Sequence, residues 1–186
     1  IGLISNWRLF LNENNNISFK NLFNQVGENT TVIRTGTDYI QQAGLERKNY
    51  MYQYRSRSVY SGQLEGNHKH NVGDKIGKIN WVLGMNYLYE DQPDLRRFRT
   101  IQTNPGAADY RMILPPSSNL YDAGRFYSKL NEIGFSNAFN YVLDLKENKY
   151  GTVQLKAGYM IDYRSRSFNT RYFSYFYPGS SSFEEQ

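Results

Sequence analysis

The stretch that decides the fold is Lys78–Tyr89, which reads KINWVLGMNYLY. Alternate positions along it are apolar or aromatic, while the positions between them are mostly polar. Side chains alternate across a β-strand, so the pattern predicts a strand with one apolar and one polar face. The apolar positions are Ile79, Trp81, Leu83, Met85, Tyr87 and Tyr89.

The same alternation returns in Thr152–Arg166, where the apolar positions are Val153, Leu155, Ala157, Tyr159, Ile161 and Tyr163. No charged residue interrupts the apolar positions of either stretch. A Lys or Arg at the bilayer midplane of a barrel costs roughly 2–4 kcal/mol, so this absence favours a face in contact with lipid. The residues predicted to face lipid are Ile79, Trp81, Leu83, Met85, Val153, Leu155, Tyr159 and Ile161.

Six strands in three hairpins are predicted along the chain. The strands cover about Leu3–Leu11, Ile17–Ile33, Tyr50–Glu65, Lys78–Tyr89, Phe126–Leu145 and Gly151–Phe173. Short polar turns are predicted at Glu13–Asn16, Asn67–Gly77 and Lys146–Lys149. Long polar loops are predicted at Gly36–Arg47 and Asp91–Gly124, and a strand breaker at Pro178–Ser182.

Short and long connections therefore alternate, and most of the strands exceed the 5–6 residues or so that are usual in globular sheets. Outer-membrane barrels have short periplasmic turns and long extracellular loops. The fold predicted is all-β: an antiparallel up-and-down transmembrane β-barrel, present as a partial set of about six strands. Residues 1–186 would form part of one barrel domain, with an N-terminal plug and the remaining strands outside this piece. A soluble sheet packed on one face also produces alternation, so this fold remains an alternative.

Composition is compatible with this fold. Hydrophobic residues make up 39% of the chain, and no apolar run reaches the 18 residues or so expected of a transmembrane helix. Aromatic residues reach 16%, as in the aromatic girdles of barrels. Without cysteine, disulfides, thiol catalysis and cysteine zinc sites are excluded. The net charge of +5 is dispersed over polar strand faces, which favours a basic lumen over a nucleic-acid surface.

A family resemblance is carried by the segment Ile17–Gln25 (ISFKNLFNQ), the long strands rich in Tyr and Arg, and the paired short turns. In these features the chain resembles the barrel of TonB-dependent outer-membrane receptors of Bacteroidota, including SusC-like members with a carboxypeptidase-regulatory-like domain. The resemblance implies a 22-stranded barrel, a plug, and energy-coupled import of a ligand. It also implies contact with TonB through an N-terminal region, and allows a SusD-like surface lipoprotein as a partner.

The pentapeptide Tyr-Arg-Ser-Arg-Ser occurs twice, at 54–58 and 163–167. Both copies lie roughly 15 residues from a short turn, which would place them above an apolar band about 25 Å tall. By alternation the four arginines share the polar face, and a basic ring there would attract anionic or polyhydroxy ligands. Alternatively, they pair with carboxylates of neighbouring strands or meet lipopolysaccharide phosphates. The four are Arg55, Arg57, Arg164 and Arg166.

No constellation for catalysis, metal binding or a cofactor emerges. His68 and His70 lack a third ligand and are expected to be solvated. Glu132, Asp144 and Asp162 are expected to balance the arginines. The segment Asp91–Asp94 lacks calcium-loop spacing. The segment Leu95–Arg99 is too small a basic cluster to indicate nucleic acid.

The sequence is thus predicted to encode a non-enzymatic outer-membrane transporter of a Gram-negative bacterium, in contact with outer-membrane lipid and lipopolysaccharide. Two other functions stay open. The barrel could serve secretion or surface-lipoprotein assembly without importing a solute. A soluble β-rich carbohydrate-binding module would use its tyrosines as stacking platforms.

Overall fold

One β-sheet accounts for most of the chain in the computed structural model, which describes residues 1–40, 44–148 and 151–178. The strands are β1 (Gly2–Asn12), β2 (Asn15–Asp38), β3 (Leu45–Val72), β4 (Lys75–Gln102), β5 (Tyr110–Met112), β6 (Ala123–Asn148) and β7 (Gly151–Ser174). Five of the seven are 24 to 28 residues long. Among the described residues, no helix combines the length and apolar character needed to span a membrane.

The strands follow the order β1-β2-β3-β4-β6-β7, and the three-residue β5 pairs with the end of β4. The sheet is antiparallel and up-and-down, which confirms the all-β prediction and the three hairpins. The sequence did not predict the short β5. Strand β5 begins at Tyr110, whose hydroxyl donates to a carboxylate oxygen of Glu46 at 2.8 Å.

Local chemistry explains two of the tight turns. In the β1–β2 turn, the side-chain oxygen of Asn12 accepts a hydrogen bond from the backbone N–H of Asn14 at 2.9 Å, a common way for Asn to close a turn. In the β3–β4 turn, Gly73 has a φ of +61°, which glycine adopts without steric cost. Across the first hairpin Trp7 stands opposite Phe19, so their side chains share one face.

Several predicted connections are wrong because strands extend through them. The turn within Asn67–Gly77 is much shorter than predicted, since β3 continues to Val72 and β4 begins at Lys75. The first 12 residues of the predicted loop 91–124 belong to β4. Their pairing is fixed by partners distant in sequence, among them Asp94 with Arg125. The first turn is shorter than predicted, with β2 already starting at Asn15.

The β2–β3 connection is not a long loop either, because β2 ends at Asp38 and β3 begins at Leu45. Residues 41–43 of the predicted loop 36–47 lie outside the described residues. The predicted turn at Lys146–Lys149 falls partly on β6, which runs to Asn148, and Lys149 also lies outside the described residues. The predicted breaker at Pro178–Ser182 is described only at Pro178. Of the two long loops predicted, the one between β4 and β6 is still a long connection among the described residues.

The chain divides into two compact units that share the long strands. The first comprises Ile1–Val26, Arg57–Tyr89 and Leu130–Ser167. The second comprises Gly27–Ser56, Glu90–Lys129 and the residues from Phe168 onward. Among the described residues, the buried hydrophobic side chains are Leu95, Ile101 and Ala123, all in the second unit. The first unit therefore lacks, within its described residues, the buried hydrophobic layer that a packed soluble sheet forms.

Candidate functional site

The first unit gathers apolar side chains from five strands on one side of the sheet, here called the apolar face. They surround a shallow depression of about 530 Å³. Leu83 and Met85 of β4 and Ile161 of β7, three residues predicted to face lipid, line it together. The other apolar or aromatic side chains around it are Phe19, Tyr60, Leu64, Phe135 and Tyr163.

Away from the strand ends next to the tight turns, charge is absent from the described strand residues that alternate in phase with this apolar face. In β4 the phase set by Trp81 carries no charged residue from Gly77 to Tyr89. In β7 the phase set by Ile161 carries none from Gly151 to Ser167. The same holds for the strand residues of β1, β2 and β3 that belong to the first unit, and in β6 from Leu130 to Leu145. The pattern that the sequence showed in two strands therefore extends to all six long strands of this unit.

The apolar face is also open. Leu83 is 47% exposed and Ile161 61%, and no other element covers them among the described residues. Val153, Leu155 and Tyr159 are likewise more than half exposed. Contiguous apolar surface of this extent marks contact with a partner or a membrane rather than with water.

The opposite face of the first unit, here called the polar face, pairs its charges across strands. Lys20 donates to Glu65 at 2.6 Å. Lys78 donates to Asp144 at 2.9 Å, and the same carboxylate accepts from the Gln154 amide at 2.7 Å. A sheet that keeps the charges of one unit on one face, apart from the strand ends next to the turns, has one surface suited to water and another suited to an apolar medium.

The four arginines of the two pentapeptides are distributed over both units. In the second unit, Arg55 donates to Glu28 at 2.9 Å. In the first unit, Arg166 donates to Glu132 through Nε at 2.6 Å, and Arg164 lies 3.3 Å from Asp162. These three arginines have acidic partners, as the sequence allowed. Arg57 is exposed.

The expected balance of charges is confirmed for two of the three carboxylates. Glu132 and Asp162 pair with arginines of β7, whereas Asp144 pairs with a lysine, Lys78. Two of the three arginines in the basic segment at 95–99 have acidic partners. Leu95 is buried, and Arg99 pairs with Asp122 at 2.7 Å.

A hydrogen-bonded aromatic cluster lies near the turn end of the first unit. The indole N–H of Trp81 donates to Nε2 of His68 at 3.0 Å, and Nδ1 of His68 lies 2.7 Å from the Asn15 side-chain oxygen. An indole only donates, so Nε2 must accept and the imidazole proton must sit on Nδ1. The prediction that His68 is solvated is therefore wrong. Among the described residues, no group of three or more acidic or histidine side chains forms a metal site.

An ion-pair cluster in the second unit holds β4 to β6. Arg125 donates to both carboxylate oxygens of Asp94, at 3.1 and 2.8 Å, and Arg96 also pairs with this carboxylate. The hydrogen bond from Arg125 is the main cause that lowers the pKa of Asp94 below its usual range, although partial burial opposes it. Bidentate pairs of this kind are the stronger form of ion pair.

Replacing Asp94 with Asn should lower stability at neutral pH by about 1 kcal/mol. Because the folded pKa is the lower one, the pair stabilises fully above the ordinary carboxyl pKa of about 3.9 and loses this effect as pH falls through the folded value. Thermal unfolding from pH 7 to pH 2 should show the Asp94→Asn deficit shrinking with acid. Asp74→Asn, an exposed turn carboxylate, is the control, and an identical pH profile for both variants would contradict the assignment.

No family model matches the chain, and no curated protein matches it.

Proposed function

We propose that this chain forms part of the wall of an outer-membrane β-barrel, with the apolar face toward lipid and the polar face toward the lumen. The observation that carries this proposal is the open, charge-free apolar face opposite a face of paired charges. A water-soluble sheet would leave the same side chains in water, and burying apolar surface is worth about 25 cal/mol per Å². Lipid provides the burial that the described residues do not.

The length of the apolar band fits a membrane. Ile79 and Tyr89 are ten residues apart on β4, which is about 33 Å along the strand. At a tilt of about 40° this distance spans about 25 Å, the height of the apolar band of outer-membrane barrels. In phase with these residues, Lys75 precedes the band and Asp91 follows it. A charged residue therefore follows or precedes the apolar band at each of its ends on β4.

Within this barrel, the proposed activity is energy-coupled import by a TonB-dependent receptor. Support comes from the resemblance of the ISFKNLFNQ segment and the Tyr/Arg-rich strands, and from arginines on the polar face. The barrel would act as a fixed wall, with ligand held by its loops and lumen. A plug and the contact with TonB would come from other parts of the protein, and a SusD-like lipoprotein is a proposed surface partner.

Location and transport require separate measurements. We expect the complete protein to fractionate with the outer membrane and to migrate faster on gels before boiling than after it. Cells deprived of the protein should lose uptake of one ligand, and cells lacking TonB should lose the same uptake. Outer-membrane location with uptake unaffected by both deletions would instead favour a barrel for secretion or lipoprotein assembly. A detergent-free soluble protein would favour the carbohydrate-binding module.

Arg164→Glu should weaken ligand binding at least tenfold while the barrel still assembles. The Arg164 side chain is 66% exposed, and its contact with Asp162 is an exposed ion pair worth about 0–1 kcal/mol to stability. Ligand capture by purified receptor and unfolding in detergent measure the two effects separately. Arg8→Glu, on the polar face of β1, serves as a control for charge reversal. Loss of assembly with unchanged binding by the folded fraction would exclude the lumen role.

A further inference from the structure

We infer that the second unit contains a binding pocket for a small hydroxylated ligand bearing a carboxylate or phosphate, held by Arg34 and Arg97. The pocket has a volume of about 300 Å³, at the lower end of the range for small-molecule sites. Three adjacent strands line it. Its lining includes Val32, Arg34, Asn49, Met51, Arg97 and Tyr121, and Tyr50, Phe98 and Arg99 also border it.

The pocket opens on the face of the second unit that carries Arg55. On the other face, the ring of Phe98 stacks against those of Tyr50 and Tyr52, with centroids 4.8 and 6.1 Å away. Side chains alternate along a strand, so Asn49 and Met51 point away from the tyrosines and Arg97 points away from Phe98. Because Phe98 stacks on Tyr50, the alternation of β4 shifts by one residue between the apolar band and Phe98, as it does at a β-bulge. The inference rests on the proposed function only in assigning this face to the lumen.

Cationic charge in the pocket exceeds its anionic charge. Arg99 is compensated by Asp122, but neither Arg34 nor Arg97 forms an ion pair within the described part of the chain. The Arg97 guanidinium lies over the ring of Tyr121, 5.4 Å from its centroid. The guanidinium of Arg97 is a planar fork of N–H donors that no carboxylate of the described residues engages, and such a fork matches two oxygens of a carboxylate or phosphate.

The remainder of the lining suits a hydroxylated body. Val32 and Met51 supply apolar surface, and Tyr121 is 63% exposed. The side-chain oxygen of Asn49 is buried and has no hydrogen-bond partner among the described residues. An unsatisfied buried acceptor is costly, and rotation of the Asn49 amide toward a ligand hydroxyl would satisfy it. A sugar acid or sugar phosphate combines the required anion and hydroxyl groups.

The test is calorimetric titration of the complete protein with glucuronate, glucose 6-phosphate and glucose. We expect at least one of the anions to bind at least tenfold more tightly than glucose, and the two to identify whether carboxylate or phosphate is preferred. Arg97→Gln and Arg34→Gln should each weaken binding of the preferred anion about tenfold or more. Arg97→Lys, which keeps the charge but loses the fork, should fall between Arg97→Gln and the unchanged protein. Equal binding of glucose and both anions, or no binding of any, would overturn the inference.

Arg171→Gln is the matched control, because it removes an exposed arginine of the second unit that does not line the pocket. An equal loss with Arg171→Gln would also overturn the inference, since it would show a general charge effect. Lipopolysaccharide added as a competitor should not displace the anion, and displacement would overturn the lumen assignment. Gel mobility of the same samples reports barrel formation. A folded barrel without anion preference refutes the pocket alone, whereas anion binding by a soluble protein refutes the barrel alone.

Discussion

Replacing Ile161 with arginine should prevent stable insertion of the protein, whereas replacing its neighbour Met160 with arginine should be tolerated. The two side chains are 61% and 74% exposed and project from opposite faces of β7. On the apolar face, an arginine at the bilayer midplane costs roughly 2–4 kcal/mol. On the polar face, the same arginine would meet water and the carboxylates that already balance the arginines there.

These two variants discriminate between the hypotheses, because a sheet with both faces in water predicts no difference in stability between them. If both faces were in water, neither variant would lose a packed contact, and both should lie within about 0.5 kcal/mol of the unchanged protein. Urea unfolding from lipid vesicles measures the effect, and the amount of protein in the outer membrane provides a second readout. Equal stability of Ile161→Arg and Met160→Arg would exclude lipid contact at the apolar face. Leu83→Arg and Val82→Arg repeat the comparison on β4.

Alternation predicted the faces of the strands well, because it depends only on sequence-local geometry. In Lys78–Tyr89, the residues predicted to share a face include Leu83 and Met85, and both line the same depression. In this stretch, no charged residue, Pro or run of Gly interrupts the alternation after Lys78. The alignment of apolar residues across the six strands depends on the register between strands. It could therefore not be predicted from any one strand.

Strand ends were predicted poorly, because long-range partners fix them. Asp91–Gln102 contains Pro93 and a run of charges, features typical of a loop. In the structure, Asp94 is held by Arg125 of β6, and Phe98 stacks on Tyr50 of β3. At the other end of β3, His68 is held by Trp81. None of these pairs is close enough in sequence for a local pattern to reveal it.

The basic pocket escaped prediction for the same reason. The sequence singled out the repeated Tyr-Arg-Ser-Arg-Ser segments because repetition is visible along the chain. Arg34 and Arg97 belong to no repeat, and they line one pocket only because β2, β3 and β4 are neighbours in the sheet. Conversely, three of the repeated arginines have acidic partners. The adjacency of strands therefore indicated where arginines lack an acidic partner better than the repeated sequence motif did.

A valine in place of Gly66 should destabilise the first unit strongly, while a valine in place of Gly36 should not. A Cβ atom at Gly66 would overlap the indole ring of Trp81, whereas one at Gly36 would meet nothing within 4 Å. Overpacking costs typically about 1–3 kcal/mol. Displacing the ring would also remove its bond to His68, worth about 1 kcal/mol. At Gly36, valine should be neutral or slightly stabilising, because β-branched residues favour open strands.

A double-mutant cycle isolates the contact with the ring. In a Trp81→Leu background, Gly66→Val should lose most of its cost, since the ring that fills the space above the glycine is gone. Unfolding in urea gives the four free energies, and Trp81 fluorescence in a Trp7→Phe background reports whether the ring moves. An undiminished cost without the indole would mean that Gly66 is required by the backbone rather than by Trp81. The expected coupling would instead show that glycine at 66 and tryptophan at 81 are one structural unit, in which the glycine leaves room for an aromatic ring at the edge of the apolar band.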